Sequence, residues 1–255
     1  MIKFFRTIRK NLIADSKVGK YALYAVGEIL LVVIGIIIAV QIGNWNQSVQ
    51  DKELLRISLE NLREDLEIQK EIIDGQLANE SEMIAKADSI LMFMQEPIPS
   101  PSDIAPLLFE LTTRRTFIAN KGTFNNLEST GNIVLIKDKE LKNELIRYYQ
   151  QLDYLTAVIT NNNLFLIDSI YGVFVSNNGM KFGQNPDGSI QQDYSINPEL
   201  RFTINSQLSG RKEFSEAIKD ITELQLESTV EMINLINEKL GDRPRIATTL
   251  SIKDD

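Results

Sequence analysis

The chain has no cysteine and no histidine in 255 residues. Without cysteine there are no disulfides, thiol nucleophiles or thiolate metal sites. Without histidine there is no His-based triad and no histidine-ligated zinc. The lack of cysteine suits either side of a bacterial membrane and selects neither. No Gly-x-Ser-x-Gly elbow is present. Catalysis by carboxylates, Lys or Ser–Lys stays open in principle, but no constellation points to it. The expectation is a protein that is not an enzyme and carries no cofactor and no catalytic or metal site.

Charge is unevenly spread. The net charge is −8, yet residues 1–20 hold Lys3, Arg6, Arg9, Lys10, Lys17 and Lys20 against Asp15 alone. The remainder is therefore strongly acidic, and phosphate repulsion argues against nucleic acid as a partner. Acids at Asp51, Glu53, Glu60, Glu64, Asp65, Glu67 and Glu71 read as a solvated helix face. They lack EF-hand spacing, and NPDGS lacks the alternating acids of a calcium loop.

What is present is one long apolar run, YAVGEILLVVIGIIIAV, at 24–40. Residues 21–40 span about 30 Å as a helix, the thickness of a bilayer core. A cleaved signal peptide fits the basic start but not the exit. IAVQIGNWN offers no small-x-small pair, because Gln41 stands where a small residue is needed. The expectation is an uncleaved transmembrane helix, 21–42, between a basic segment, 1–20, and an outer domain. The basic flank leaves the N-terminus in the cytoplasm and sends the large domain out across the membrane. Tyr21, Tyr24 and Trp45 stand where an aromatic belt would place them. Met1, Phe5, Ile8 and Leu12 give residues 1–20 the face of an interfacial helix, with its cations on anionic lipid. A plain positive-inside signal reads equally well.

One acid interrupts the run. With Gln41 at the far boundary, Glu28 lies about 10 Å inside the near one. Gly27, Leu31, Gly35, Ala39 and Gly43 share one i, i+4 row. Small residues at that spacing let helix backbones approach closely. Glu28 borders the row. Either it is protonated or snorkels to head groups, or it bonds to a neighbouring helix, its own copy or another membrane protein. Gly27, Glu28, Gly35, Ala39 and Gly43 are the candidate assembly residues. Lys3, Arg6, Arg9, Lys10, Lys17, Lys20, Tyr21 and Trp45 are the candidate membrane-interface residues.

Beyond the span, 48–94 reads as one long helix. Leu55, Leu59, Leu62, Leu66, Ile73, Leu77, Ile84, Ala87, Leu91 and Met94 step mostly by fours and threes. Gln69 and Glu80 interrupt this seam, and Gly75 is a place for a bend. EPIPSPSDIAP, at 96–106, ends the helix. Ser102 or Asp103 can cap a short helix running to about Thr113, and 121–128 is another that Gly131 can end. Asp138 caps a helix through KELKNELIRYYQQLDYLTAVITNNNLFLIDSIYGVFV, with Leu141, Leu145, Tyr148, Leu152, Leu155 and Ile159 on one face. Asn161–Asn163 inside it marks a break or a polar core layer. NPDG can close a small β-hairpin over 180–194. A last helix covers 209–241, and 242–255 is a tail. Arg114-Arg115 reads as paired with nearby carboxylates, with an anion or lipid phosphate as the alternative. The fold expected is mainly α: one N-terminal transmembrane helix and an extracytoplasmic antiparallel helical bundle, 43–241.

Two stretches carry a resemblance. MIKFFRTIRKNL with GKYALYAVGEILLVVIGIIIAVQIGNWN resembles the start of a Bacteroidota family of single-pass inner-membrane proteins, a domain of unknown function. That family has a basic N-terminus and a GEI…VIGI.IA.QI..WN signature. TFNNLESTGNIVLIKDKELKNELIRYYQ is similar to its second block, with Thr123, Phe124, Leu127, Ser129, Gly131, Leu135, Ile136, Leu141, Leu145, Tyr148 and Tyr149 at matching places. The blocks cover roughly 75 residues. Where the family often has two Asn before Trp, Gly43-Asn44 stands here. The resemblance implies a periplasm-facing inner-membrane protein, supplies no activity, and gives Glu28 weight because GEI belongs to the signature.

Two functional expectations follow. One is a non-enzymatic envelope scaffold or accessory subunit that assembles through its span with itself or another membrane protein. The other is a periplasmic sensory module that binds a small ligand between helices and signals through a partner.

Overall fold

The computed structural model describes residues 18–95, 115–169, 172, 181–184, 186–187, 190–193 and 198–241. Four α-helices lie among them: α1 Val18–Phe93, α2 Gly122–Ser129, α3 Lys139–Asn162 and α4 Pro198–Leu240. A 3-10 turn, Asn132–Leu135, follows α2, and a π-helical turn, Asn163–Ile167, follows α3. The basic segment up to residue 17, the short helix after Asp103 and the tail 242–255 lie outside the described residues. The chain divides into two compact units, Met1–Arg56 and Ile57–Asp255.

In the first unit, α1 carries a window near its start with a mean hydropathy of 2.7, none of it buried. It is long and apolar enough to cross a membrane. The helix continues unbroken past position 42, and the first unit ends at Arg56. No proline lies between 21 and 96, and a single Gly43 costs a helix only about 1 kcal/mol.

In the second unit, α1 buries Ser58 and then a seam that steps strictly by three and four. The seam is Leu59, Leu62, Leu66, Gln69, Ile73, Gln76, Glu80, Met83, Ala87, Ile90 and Met94. Gln69 and Glu80 therefore do not interrupt the seam; they occupy it. Leu55, Leu77, Ile84 and Leu91 flank it, half-buried. Gly75 does not end or break the helix. It lies under the Arg115 guanidinium, whose Nη2 would sit 2.7 Å from an added Cβ.

The α4 seam keeps the same steps through Ile204, Leu208, Arg211, Ser215, Ile218, Thr222, Gln225, Thr229, Met232 and Ile236. It begins at Pro198, eleven residues before the expected start. Proline suits the first helical position, and Ile204 and Leu208 carry the burial pattern across Ser209-Gly210. At the other end Gly241 takes φ 78° and donates to the Glu238 carbonyl at 3.1 Å, which stops the helix.

Cross-contacts order the helices. Arg63 donates to Asn237 at 3.5 Å, Glu80 pairs with Arg211, and Arg201 donates to the Met94 carbonyl. Numbers rise along α1 as they fall along α4, so α4 runs against this part of α1. It also runs against α3, since Lys239 pairs with Asp138 at 2.8 Å and the Tyr148 hydroxyl meets that of Thr229 at 3.1 Å.

Asp138 caps α3 by accepting from the N–H groups of Glu140 and Leu141 at 3.0 and 3.1 Å. Asp65, one of the acids read as a solvated face, caps α2 from another helix. Its Oδ2 accepts from the Thr123 N–H at 2.8 Å, and Asn120 bonds both its carbonyl and its carboxylate. Gly131, at φ 74°, turns the chain between α2 and the 3-10 turn. Strands β1 Lys181–Gln184 and β2 Ile190–Asp193 pair antiparallel, Lys181 opposite Asp193 and Gln184 opposite Ile190.

α3 buries Leu141, Leu145, Tyr148, Leu152, Leu155, Ile159 and Asn162, again by fours and threes. The sequence reading carries this α-helix on through Val175. A π turn, Asn163–Ile167, interrupts it after Asn162 and inserts a residue, so the next described buried residue, Ile167, comes five positions on; residues 168, 169 and 172 are α-helical again, and 170, 171 and 173–175 lie outside the described residues.

Candidate functional site

The sequence-derived assembly residues all lie on the unburied part of α1. Glu28 and Ala39 are exposed, and a Cβ added at Gly27, Gly35 or Gly43 would meet nothing within 4 Å. Trp45 is exposed too. Lys3, Arg6, Arg9, Lys10 and Lys17 lie outside the described residues, as do the side chains of Lys20 and Tyr21. No described side chain packs on this face.

The packed unit has a polar interior that the sequence reading missed. The Arg211 and Glu80 side chains are 2% and 3% exposed, with Nη1 3.7 Å from Oε2. Arg211 also donates to Ser215 at 2.8 Å, and Gln76 donates to Glu80 Oε1 at 2.8 Å. Burial pulls the Arg211 pKa down, and the Glu80 charge pulls it back up. Glu80 Oε2 and Arg211 Nε find no hydrogen-bond partner among the described residues. The signal for this site was the spacing: three polar residues on α1 and five on α4 fall on otherwise apolar seam positions.

Tyr148 and Tyr149 are buried on α3. Phe124 stacks on Tyr149 at 4.0 Å, and the two tyrosines meet edge to face at 5.0 Å. Burial raises both phenol pKa values; hydrogen bonding with Thr229 and Gln225 opposes this at Tyr148, while Tyr148 and Asp65 add to it at Tyr149.

Between α3 and α4 lies a cavity of about 660 Å³. Val158, Asn161, Asn162, Phe165 and Ser169 line one side; Gln207, Phe214, Ala217 and Ile218 line the other. Asn162 is 9% exposed, and its Oδ1 has no partner among the described residues. The π turn sets Phe165 beside this cavity.

The remaining candidates separate. Ser209 and Lys212 have Ser-x-x-Lys spacing, but Lys212 bonds Asp88 at 2.7 Å, which raises its pKa and disfavours the neutral amine a general base needs. Arg115 accepts through its carbonyl from Asn163 Nδ2 at 3.0 Å, while Arg114 lies outside the described residues. No group of three or more Asp or Glu side chains gathers into a cation site among the described residues.

The chain belongs to the family of unknown function DUF6090, whose model matches residues 28–186. The match begins at Glu28, runs through α1, α2 and α3, and stops before α4. No curated protein and no solved structure matches the chain.

Proposed function

We propose that this DUF6090 member is a membrane-anchored, non-enzymatic envelope protein that assembles through its apolar helix, as a scaffold or accessory subunit. The observation that carries this reading is the unburied window of α1, with mean hydropathy 2.7. Such a surface is unfavourable in water, and none of the window is buried among the described residues. In a bilayer its lipid-facing residues are satisfied, and the row Gly27, Gly35, Ala39 and Gly43 offers a backbone-close contact face. Glu28 borders that face inside the hydrocarbon, where a carboxyl group is costly and gains by bonding to a neighbouring helix. The partner is a second copy or another membrane protein. The six bases before residue 21 orient the span, with the N-terminus cytoplasmic and the packed unit in the periplasm of an inner membrane.

A photo-crosslinking amino acid at Val32, in living cells, tests the reading. A homodimer or one defined second protein, captured by the parent and by Glu28→Gln but lost with Glu28→Leu, is the expected result. Lipid adducts alone, unchanged by either substitution, overturn it.

A further inference from the structure

We infer that the buried Glu80–Arg211 pair is a register lock: it holds α4 at one heptad position against α1, among several that the rest of the core would accept. The need for a lock comes from the seams. Buried residues on α1 from Leu59 to Met94 and on α4 from Ile204 to Ile236 step by alternating threes and fours without a break. Those on α3 from Leu141 to Asn162 do the same, with Tyr149 the one addition. Such a seam repeats every seven residues, so sliding α4 by seven, about 10 Å, lays seam on seam again.

In one direction little else resists the slide. Thr222 would offer Tyr148 a hydroxyl in place of Thr229, and both are buried on the α4 seam. The Lys212–Asp88 and Lys239–Asp138 pairs would part, but they are partly exposed and contribute little. The buried pair does resist. Ile204 would face Glu80 and Ile73 would face Arg211, which strands both charges among apolar groups. The opposite slide strands them against Ile218 and Ala87. Each charge is aimed from its own helix: Gln76 donates to Glu80 on α1, and Arg211 donates to Ser215 on α4, both at 2.8 Å. Stability does not account for the pair. Its members approach only to 3.7 Å, and Glu80 Oε2 and Arg211 Nε lack hydrogen-bond partners among the described residues. A buried pair so incompletely bonded gains little over apolar residues of similar volume; selecting one register is what it can still supply. This inference does not rest on assembly through the span.

The test uses the full chain in lipid nanodiscs. The chain has no cysteine, so introduced thiols are its only ones. Asp88→Cys with Lys212→Cys, and Arg63→Cys with Asn237→Cys, report the observed register, since these side chains meet at 2.7 and 3.5 Å. Asp88→Cys with Asn205→Cys, and Arg63→Cys with Val230→Cys, report α4 displaced by one heptad. Disulfide closure under mild oxidation is read by peptide mass. With Glu80 and Arg211 in place, only the first two pairs should close. In Glu80→Leu with Arg211→Met, closure of the displaced pairs should rise about tenfold, with cooperative melting kept. Moving the guanidinium one heptad, by Arg211→Ile with Ile204→Arg, should reverse the pattern, so that the displaced pairs close and the observed pairs do not. Closure of the observed pairs alone in the uncharged variant overturns the inference. Should that variant lose cooperative melting, the moved arginine decides: closure of the displaced pairs upholds the lock, while closure of the observed pairs, or no folded protein, overturns it.

Discussion

The two parts of α1 use apolar residues in opposite ways. From 22 to 50 the helix is exposed or half-exposed at every position, and from 29 to 40 it is apolar all round. From Leu59 to Met94 only the positions at steps of three and four are buried, and among them are Gln69, Gln76 and Glu80. Among the described residues the apolar part is nowhere buried, while the part that makes the core accepts polar residues into it. Hydrophobicity alone therefore does not locate the core. A helix that is apolar on every face has no preferred direction to pack in water, whereas a stripe selects one side and leaves the other solvated. Within the stripe, polar residues are tolerated where a facing helix answers them, as Arg211 answers Glu80.

The largest break in this contrast should come from the buried pair. Glu80→Leu or Arg211→Met alone leaves a charge stranded and should cost about 3–5 kcal/mol in denaturant unfolding of the full chain. The double variant should recover most of that loss. Equal losses in the double and single variants would mean that the two side chains are not coupled.

Matched leucines sharpen the same contrast. Leu62→Ala, fully buried, should cost about 2–5 kcal/mol of unfolding free energy. Leu31→Ala, in the span, should leave that unfolding within about 0.5 kcal/mol of the parent. A similar loss at both positions would show that the span is packed against protein.

Acid and base should act on the packed unit through its surface pairs. The Asp138 carboxyl is held below its ordinary range chiefly by its hydrogen bond with Lys239, and that bond raises Lys239 in turn. Asp138 stabilises above its unfolded pKa of about 3.9, and its contribution is lost as pH falls through the folded value. The Lys239 contribution is full below about 10.4 and lost as pH rises beyond the raised folded value. A melting-temperature scan of Asp138→Asn, which keeps a capping side chain, should fall below the parent between these limits and converge with it at low pH.

The smallest effect is expected at Gly75→Ala. The atom nearest an added methyl is the end of the flexible Arg115 side chain, which can swing away. The gain in helix propensity, up to about 1 kcal/mol, should then show as a raised melting temperature. A clear loss would mean that Arg115 is fixed over Gly75 by more than its reach.

Several elements were legible because their signals are local. The Asp138 cap, the Gly131 and Gly241 turns and the apolar window each need only a few neighbouring residues to be read. The α4 start was misplaced because Ser209-Gly210 resembles a boundary, while burial of Ile204 and Leu208 carries the helix across it. Asn162 drew notice in the triple asparagine, but that a π turn would follow it was not readable, since no short-range rule separates such a turn from a continued helix. The cavity was invisible for a simpler reason: its walls come from segments about fifty residues apart.

By itself the sequence determined that one stretch is too apolar for water, that the chemistry of thiols and imidazoles is absent, and where most helices lie. These follow from composition and from periodicity along a single chain. Only the tertiary structure decided that Gln69 and Glu80 belong to the core, that Asp65 caps a helix fifty-odd residues away, and that Asn162 faces a cavity. Each depends on which side chain arrives opposite, because a buried polar group is tolerated or orphaned according to a partner that sequence spacing does not reveal.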